Sequence, residues 1–224
     1  MTKMLIFIPV ISILFSYSTG KLMLKENDRI VFFGDSITEM GAGPSGYITL
    51  IKDSLAKHYP SVEIIGAGIS GNKVTDLQTR VESDVISKNP TIVFIYIGIN
   101  DVWHSITPGH HGTPKDIYEA GLKEIIEKIK ITGARIILCT PGVIGEMRNG
   151  TNKVDGMLNE YAEISRKAAG ETNIELLDIH RDFINYLAVE NPDNKEEGVL
   201  TLDGVHLNDI GNKFVSKEIL KLLE

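Results

Sequence analysis

Ser36 stands where an apolar run stops, directly behind an acidic residue, in the stretch VFFGDSITEMG (31–41). A serine hydroxyl is a weak nucleophile at neutral pH, so it attacks a carbonyl only with a base to take its proton and a third group to orient that base. Gly-Asp-Ser by itself decides nothing, because the same residues make ordinary turns. Of the six histidines, His206 in LTLDGVHLND has an orienting acid close by: Asp203 lies three residues earlier, with Gly204 between to permit a tight turn. Such a turn sets the carboxylate against one imidazole nitrogen and leaves the other facing outward. Charge developing on a substrate oxygen needs donors already in place, each worth about 2.7–4 kcal/mol in the transition state. The backbone amide of Ser36, Gly71 in GISGNKV and the side-chain amide of Asn100 in YIGINDVW are the candidates. Asp35 and Asp101 read as carboxylates that fix the neighbouring turns. Trp103 and His104, just past Asn100, are candidates to line a substrate pocket, with packing over its rim as the competing reading.

These residues are far apart in the chain, so a scaffold must gather them. After residue 21 short apolar runs alternate with longer segments of helical period, which predicts a parallel sheet with helices on both faces. The expected strands are RIVFF (29–33), VEII (62–65), TIVFIYI (91–97), ARIILC (134–139) and IELLDI (174–179). Helical stripes are expected at Ile48, Ile51, Leu55 and Tyr59; at Ile117, Gly121, Ile125 and Ile129; at Met157, Leu158, Tyr161 and Ala168; and at Ile210, Phe214 and Ile219. The result is a three-layer α/β/α sandwich around a five-stranded parallel sheet. Ligands in such sheets sit beyond the carboxyl ends of the strands. Ser36, Gly71 and Asn100 follow the first three strands in turn, so three successive loops deliver polar groups to one rim.

The blocks FFGDSIT, GISGNKVTDL, IGIND and DGVHLND occur in the order and places of the four sequence blocks of the SGNH hydrolases, also called the GDSL lipase/esterase family, and the chain resembles that family over nearly all of its length after residue 20. The resemblance implies the flavodoxin-like SGNH fold and an ester hydrolase without metal or organic cofactor. It further implies Ser36 as nucleophile, His206 and Asp203 as base and orienting acid, and the Ser36 amide, Gly71 and Asn100 as the oxyanion hole. Members of the family cleave acetyl groups from polysaccharides, acyl chains from lipids, and thioesters, so the motifs name a reaction rather than a molecule. The loops WHSITPGHHGTP and PGVIGEMRNGTN are the expected pocket walls. Both are rich in polar and small residues and poor in large aliphatics, which favours a short acyl group on a polar alcohol such as a sugar. The alternatives are a lysophospholipase or thioesterase, and a non-catalytic carbohydrate- or nucleotide-binding module on the same sandwich.

GAGISG (66–71) fits the G-x-G-x-x-G pattern, yet it follows the second strand rather than the first, and the acidic residue that follows the next strand, Asp101, lies farther on than the roughly 20 positions of the dinucleotide fingerprint. His110 and His111 are adjacent, which does not make a chelating set, and no cysteine or carboxylate ladder stands near them, so no metal site is expected. Thr38 occupies the place where a nucleophile elbow would carry its second glycine. Cys139, the only cysteine, excludes an intrachain disulfide and reads as a small buried hydrophobe. Asn149 begins an N-glycosylation pattern, NGT, that serves equally as a turn.

Residues 1–20, with Lys3 ahead of MLIFIPVISILF and then SYSTG, have the order of a cleavable secretory signal, with a retained anchor or a buried segment as the competing reading; cleavage leaves one domain over 21–224, secreted or periplasmic and without stable membrane insertion. A formal net charge of −7 with scattered basic residues argues against nucleic-acid binding, so the expected partner is a small-molecule or glycan ester.

Overall fold

The apolar runs become five strands of a single sheet in the computed structural model, which describes residues 24–223. They are β1 (Arg29–Gly34), β2 (Glu63–Gly68), β3 (Ile92–Tyr96), β4 (Arg135–Cys139) and β5 (Glu175–Leu177). The order is β2-β1-β3-β4-β5 and every neighbouring pair is parallel. Central parallel strands are covered on both faces, which is why they read as unbroken apolar runs. Val31, Phe32 and Phe33 of β1 and Val93, Phe94 and Ile95 of β3 are all at most 1% exposed. Phe32 stacks on Phe94 with ring centroids 4.9 Å apart. Each such side chain contributes about 1.5–3 kcal/mol by leaving water.

Among the described residues eight α-helices flank the sheet: α1 (Ser36–Gly41), α2 (Tyr47–Leu55), α3 (Val74–Asp84), α4 (Ile99–Trp103), α5 (Lys115–Lys130), α6 (Asp155–Thr172), α7 (Ile179–Glu190) and α8 (Asp209–Leu223). Helices α3, α5 and α6 lie side by side, and α2 packs on α8, giving helical layers on both sides of the sheet. Ring contacts from Phe183 and Tyr186 to Phe214 join α7 to α8. Among the described residues no helix is long and apolar enough to cross a membrane. The expected leader, residues 1–20, lies outside the described residues.

On three helices the buried face takes in most of the expected line but drops one residue of it: Gly121, Ile125 and Ile129 of α5, Leu158, Tyr161 and Ala168 of α6 and Ile219 of α8 are buried as expected. Tyr118, Leu122 and Ile126 are buried on α5 while Ile117 is 44% exposed; on α8 Val215 is buried and Ile210 is 51% exposed. Met157, at the first turn of α6, is 36% exposed, and Leu158 and Tyr161 carry the buried face there. The buried stripe of a globular helix is wide, about 100° or more, so a line of four residues locates it only to within one position. Strand β2 runs three residues past its expected end, through Gly66, Ala67 and Gly68. Those glycines therefore sit in the sheet and not in a phosphate-binding turn. Contact with α1 demands them: a Cβ on Gly68 would lie 2.1 Å from the Glu39 nitrogen, and one on Gly66 would lie 2.9 Å from the Ala42 methyl.

The strand order places the reversal of winding between β1 and β3, the crevice where open α/β sheets bind ligands. Gly34, at the end of β1, pairs in register with Tyr96, at the end of β3. Ser36 and Asn100 emerge from the two sides of that crevice.

Candidate active site

The segment carrying Asp203 and His206 is a small closed loop. Thr201 and Leu207 form an antiparallel bridge, and the Leu202 N–H donates to the His206 carbonyl at 2.7 Å. At the tip, Asp203 Oδ1 accepts from the main-chain N–H groups of Val205 (3.1 Å) and His206 (2.8 Å). Gly204 has φ +83°, a backbone state that side-chain-bearing residues rarely adopt, so the glycine between Asp203 and His206 is a steric requirement. Asp203 Oδ2 is left to meet His206 Nδ1 at 2.7 Å. Immediately after the loop, the Asn208 side chain caps α8 by accepting from Ile210 and Gly211 N–H, both at 2.9 Å. Partial burial pushes the Asp203 carboxyl up, but hydrogen bonds from the His206 ring and from two backbone N–H groups outweigh it and hold the group below the usual carboxylate range. It is therefore ionised and fixes the imidazole proton on Nδ1. Nε2 then accepts a hydrogen bond from the Ser36 hydroxyl, 3.0 Å away.

Ser36 opens α1 immediately after β1. The N–H groups of a first helical turn have no intrahelical acceptors, so the Ser36 amide is free to face a ligand. Asp35 caps the helix, its Oδ1 accepting from Ile37 N–H at 3.0 Å. The turn 69–72 closes through Asn72 N–H to the Ile69 carbonyl at 3.2 Å, with Gly71 at φ +79°, the positive φ that the third position of a type II turn requires. Glu39 of α1 locks that turn to the Ser36 helix, accepting from Ser70 N–H (2.6 Å) and Ser70 Oγ (2.5 Å). Arg80 braces the same region from α3. It donates to the Gly34 and Ala67 carbonyls (2.6 and 3.0 Å) and to Asn72 Oδ1 (2.7 Å), and stacks over Phe33. Asn100, 3% exposed, donates from Nδ2 to the Asn72 carbonyl at 3.0 Å, which ties the loop after β3 to the loop after β2. Asp101 adds a second tie, both carboxylate oxygens accepting from Val74 N–H at 3.2 and 3.3 Å.

Beneath this rim lie two buried carboxyls. Burial raises Asp35 to about 7, with the Ile37 N–H opposing and Asp101 adding to the rise. Burial likewise raises Asp101 to about 6. A carboxyl that holds its proton more tightly when folded than when unfolded loses stability as pH climbs from the unfolded value towards the folded one. For Asp35 that window runs from 3.8 to about 7. Asn in its place keeps an oxygen for Ile37 N–H and has no proton to lose. Asp35→Asn should therefore be progressively more stabilising, relative to the parent, between pH 4 and 7 and level off above, by at most about 4 kcal/mol at 1.36 kcal/mol per pKa unit. Denaturant unfolding at pH 4.5 and 8.5 reads this directly; an equal difference at both pH values would refute the assignment.

Trp103 ends α4 with its ring centroid 6.0 Å from that of His206, an edge contact that puts the indole beside the imidazole. His104 packs on His110, centroids 4.7 Å apart, and desolvation together with the neighbouring His110 and Lys73 lowers its pKa, so this ring is neutral at pH 7. Among the described residues no three His, Cys, Asp or Glu side chains cluster to hold a metal ion. Of the two expected walls, the loop after α4 is largely exposed, but the loop after β4 is not: Pro141 to Ile144 and Glu146 are buried and it packs under the Asp203 loop, with Gly145 N–H donating to the Gly204 carbonyl at 2.8 Å. Sequence reading assigned nothing to Glu39, Arg80 or Glu146. Glu39, one turn after Ser36 on the same helix, carried a usable signal; the other two serve main-chain groups that leave no mark in a sequence.

A family model described as GDSL-like lipase/acylhydrolase matches residues 32–214. The chain is 30% identical over 216 residues to an acetylxylan esterase of Geobacillus stearothermophilus, covering 89% of this chain and 95% of that one. It is 26% identical over 220 residues to an isoamyl acetate-hydrolyzing esterase 1 homolog of Rattus norvegicus, covering 88% and 81%. Among solved structures, the acetyl xylan esterase AlAXEase superposes with a TM-score of 0.83 at 45% identity, over 86% of this chain and 98% of that one.

Proposed function

The chain belongs to the GDSL-like lipase/acylhydrolase family, and on that premise we propose a serine ester hydrolase that removes short acyl groups, acetyl above all, from a carbohydrate or another polar alcohol. The observation that carries this reading is the relay of Ser36 Oγ to His206 Nε2 at 3.0 Å and His206 Nδ1 to Asp203 at 2.7 Å. Ser36 Oγ bonds to the ester carbonyl carbon as its proton passes to Nε2, and the imidazolium so formed is stabilised by the Asp203 carboxylate. The carbonyl oxygen takes the negative charge and is received by the Ser36 and Gly71 N–H groups and Asn100 Nδ2. Collapse breaks the bond to the alcohol, which leaves with the proton from Nε2. Water then gives a proton to the same nitrogen as it attacks the acyl-enzyme carbonyl, and the second tetrahedral intermediate breaks its bond to Ser36 Oγ, which takes that proton back from Nε2 as the acid leaves.

A small acyl group accords with the polar, exposed loop after α4, where Trp103 offers an aromatic face and His104 a neutral donor and acceptor. Two relatives named for acetyl ester cleavage support the same choice. The order of charged, apolar and small residues in 1–20 supports export, with a single catalytic domain from residue 21. Rates on p-nitrophenyl esters should fall steadily from acetate to octanoate. A maximum at eight carbons or longer would replace the acetyl assignment with a lipase-like one.

A further inference from the structure

We propose that Glu146 is a positioning residue for the acid-base pair, an inference that rests on the roles given to Ser36, Asp203 and His206 above. Glu146 is fully buried and directs both carboxylate oxygens at the chain leading into the Asp203 loop. Oε1 accepts from Leu200 N–H and Thr201 N–H, each at 2.6 Å, and from Thr201 Oγ1 at 2.9 Å. Oε2 accepts from Val199 N–H at 2.7 Å. The Thr201 hydroxyl, having donated to Glu146, accepts in turn from Gly204 N–H at 3.0 Å. A line of hydrogen bonds thus runs from the carboxylate to the glycine between acid and base. The main chain around Glu146 is fastened to the same region: its N–H donates to the Glu196 carbonyl (2.8 Å), and its carbonyl accepts from the buried Asn191 amide (2.8 Å).

A carboxylate taken out of water is costly unless its lone pairs are filled. Here four donors fill them, and three are consecutive main-chain N–H groups. Consecutive N–H groups pointing inward make a concavity suited to an anion, and in this protein the anion is its own side chain. An apolar residue of the same volume would fill the space without drawing residues 199, 200 and 201 into one curve. That curve sets the direction in which the bridge between Thr201 and Leu207 presents His206 to Ser36. Glu146 touches neither the nucleophile nor the imidazole, so its effect passes through the aim of the loop.

Glu146→Gln tests this, because the amide keeps the shape but must turn its NH2 towards either Val199 N–H or the three donors at Oε1. The variant should fold cooperatively and keep KM for p-nitrophenyl acetate within about 3-fold while kcat drops about 100-fold, the scale of loss expected when a reacting group is misplaced by about 1 Å. In an Asp203→Ala background, where the pair is already disabled, the same substitution should lower kcat by less than about 3-fold. A wild-type kcat in Glu146→Gln, or a full 100-fold loss repeated on top of Asp203→Ala, would overturn the proposal. Should Glu146→Gln not fold, Thr201→Val removes only the hydroxyl between Glu146 and Gly204; it should lower kcat about 10-fold at unchanged KM, and a wild-type kcat would again count against the inference. Ser36→Ala is assayed alongside. Surviving turnover there sinks the esterase reading itself, whereas an inactive Ser36→Ala beside a fully active Glu146→Gln sinks only the role of Glu146.

Discussion

Ser36→Ala should lower kcat/KM for p-nitrophenyl acetate by about 10⁴-fold or more, because no acyl-enzyme forms without Oγ and only the binding and oxyanion donors are left to act on water. The fold should survive the change. Ser36 is the first residue of α1, where alanine is well tolerated, and its side chain makes a single described hydrogen bond, the one to His206. His206→Ala removes the base and should fall by a similar factor; the double variant should be little worse than either single one, since residues acting as a unit are not additive. A serine-directed fluorophosphonate followed by peptide mapping gives an independent reading: the parent is labelled on Ser36 and Ser36→Ala is not. A parent that stays unlabelled at Ser36 would point instead to a binding module.

Asp203→Asn should cost about 10³–10⁴-fold in kcat, on the scale that the same replacement has in a serine protease triad. The geometry shows why a substitution that preserves shape is so damaging. The oxygen at Oδ1 already accepts two main-chain N–H groups, so the amide must keep its carbonyl there and place NH2 at the Oδ2 position, facing His206 Nδ1. Facing a donor, Nδ1 becomes the acceptor and the ring proton moves to Nε2, where it can no longer receive the proton of Ser36. The half-exposed setting of Asp203 lets water compete for Nδ1, which favours the lower end of that range. Activity in Asp203→Asn within about 10-fold of the parent would mean that the carboxylate does not set the tautomer. Asp203→Ala, which leaves room for water at Nδ1, should then be no worse than Asn.

The strands were legible because a covered parallel sheet writes itself as apolar runs, and β1 and β3 are the clearest because both of their faces are sealed. Helix α1 was not legible: six residues are too few to show a period, and Ser36 at its start looked like the end of a turn. Helix α7 was missed because exposed Ile184 and Val189 break the stripe made by Ile179, Phe183 and Leu187. Of the site, Asp203 and His206 were visible as a pair because a three-residue turn is a local event, and Ser36 and Asn100 because each follows a strand. Glu146 left no trace. Its partners are main-chain N–H groups 53 to 55 residues away, and every residue but proline has one. The region around it was read only as a pocket wall, because Gly, Asn and Thr suit a buried, hydrogen-bonded loop as well as an open one.

Ser36 and His206 are 170 residues apart, and the loop bearing His206 leads straight into α8, which packs on α2. A chain in which the first strand and helix have formed but α8 has not yet docked holds a hydroxyl with no proton acceptor beside it. In such a chain turnover waits on the docking of α8, so its regain after dilution from denaturant should report that docking and not the formation of the sheet alone.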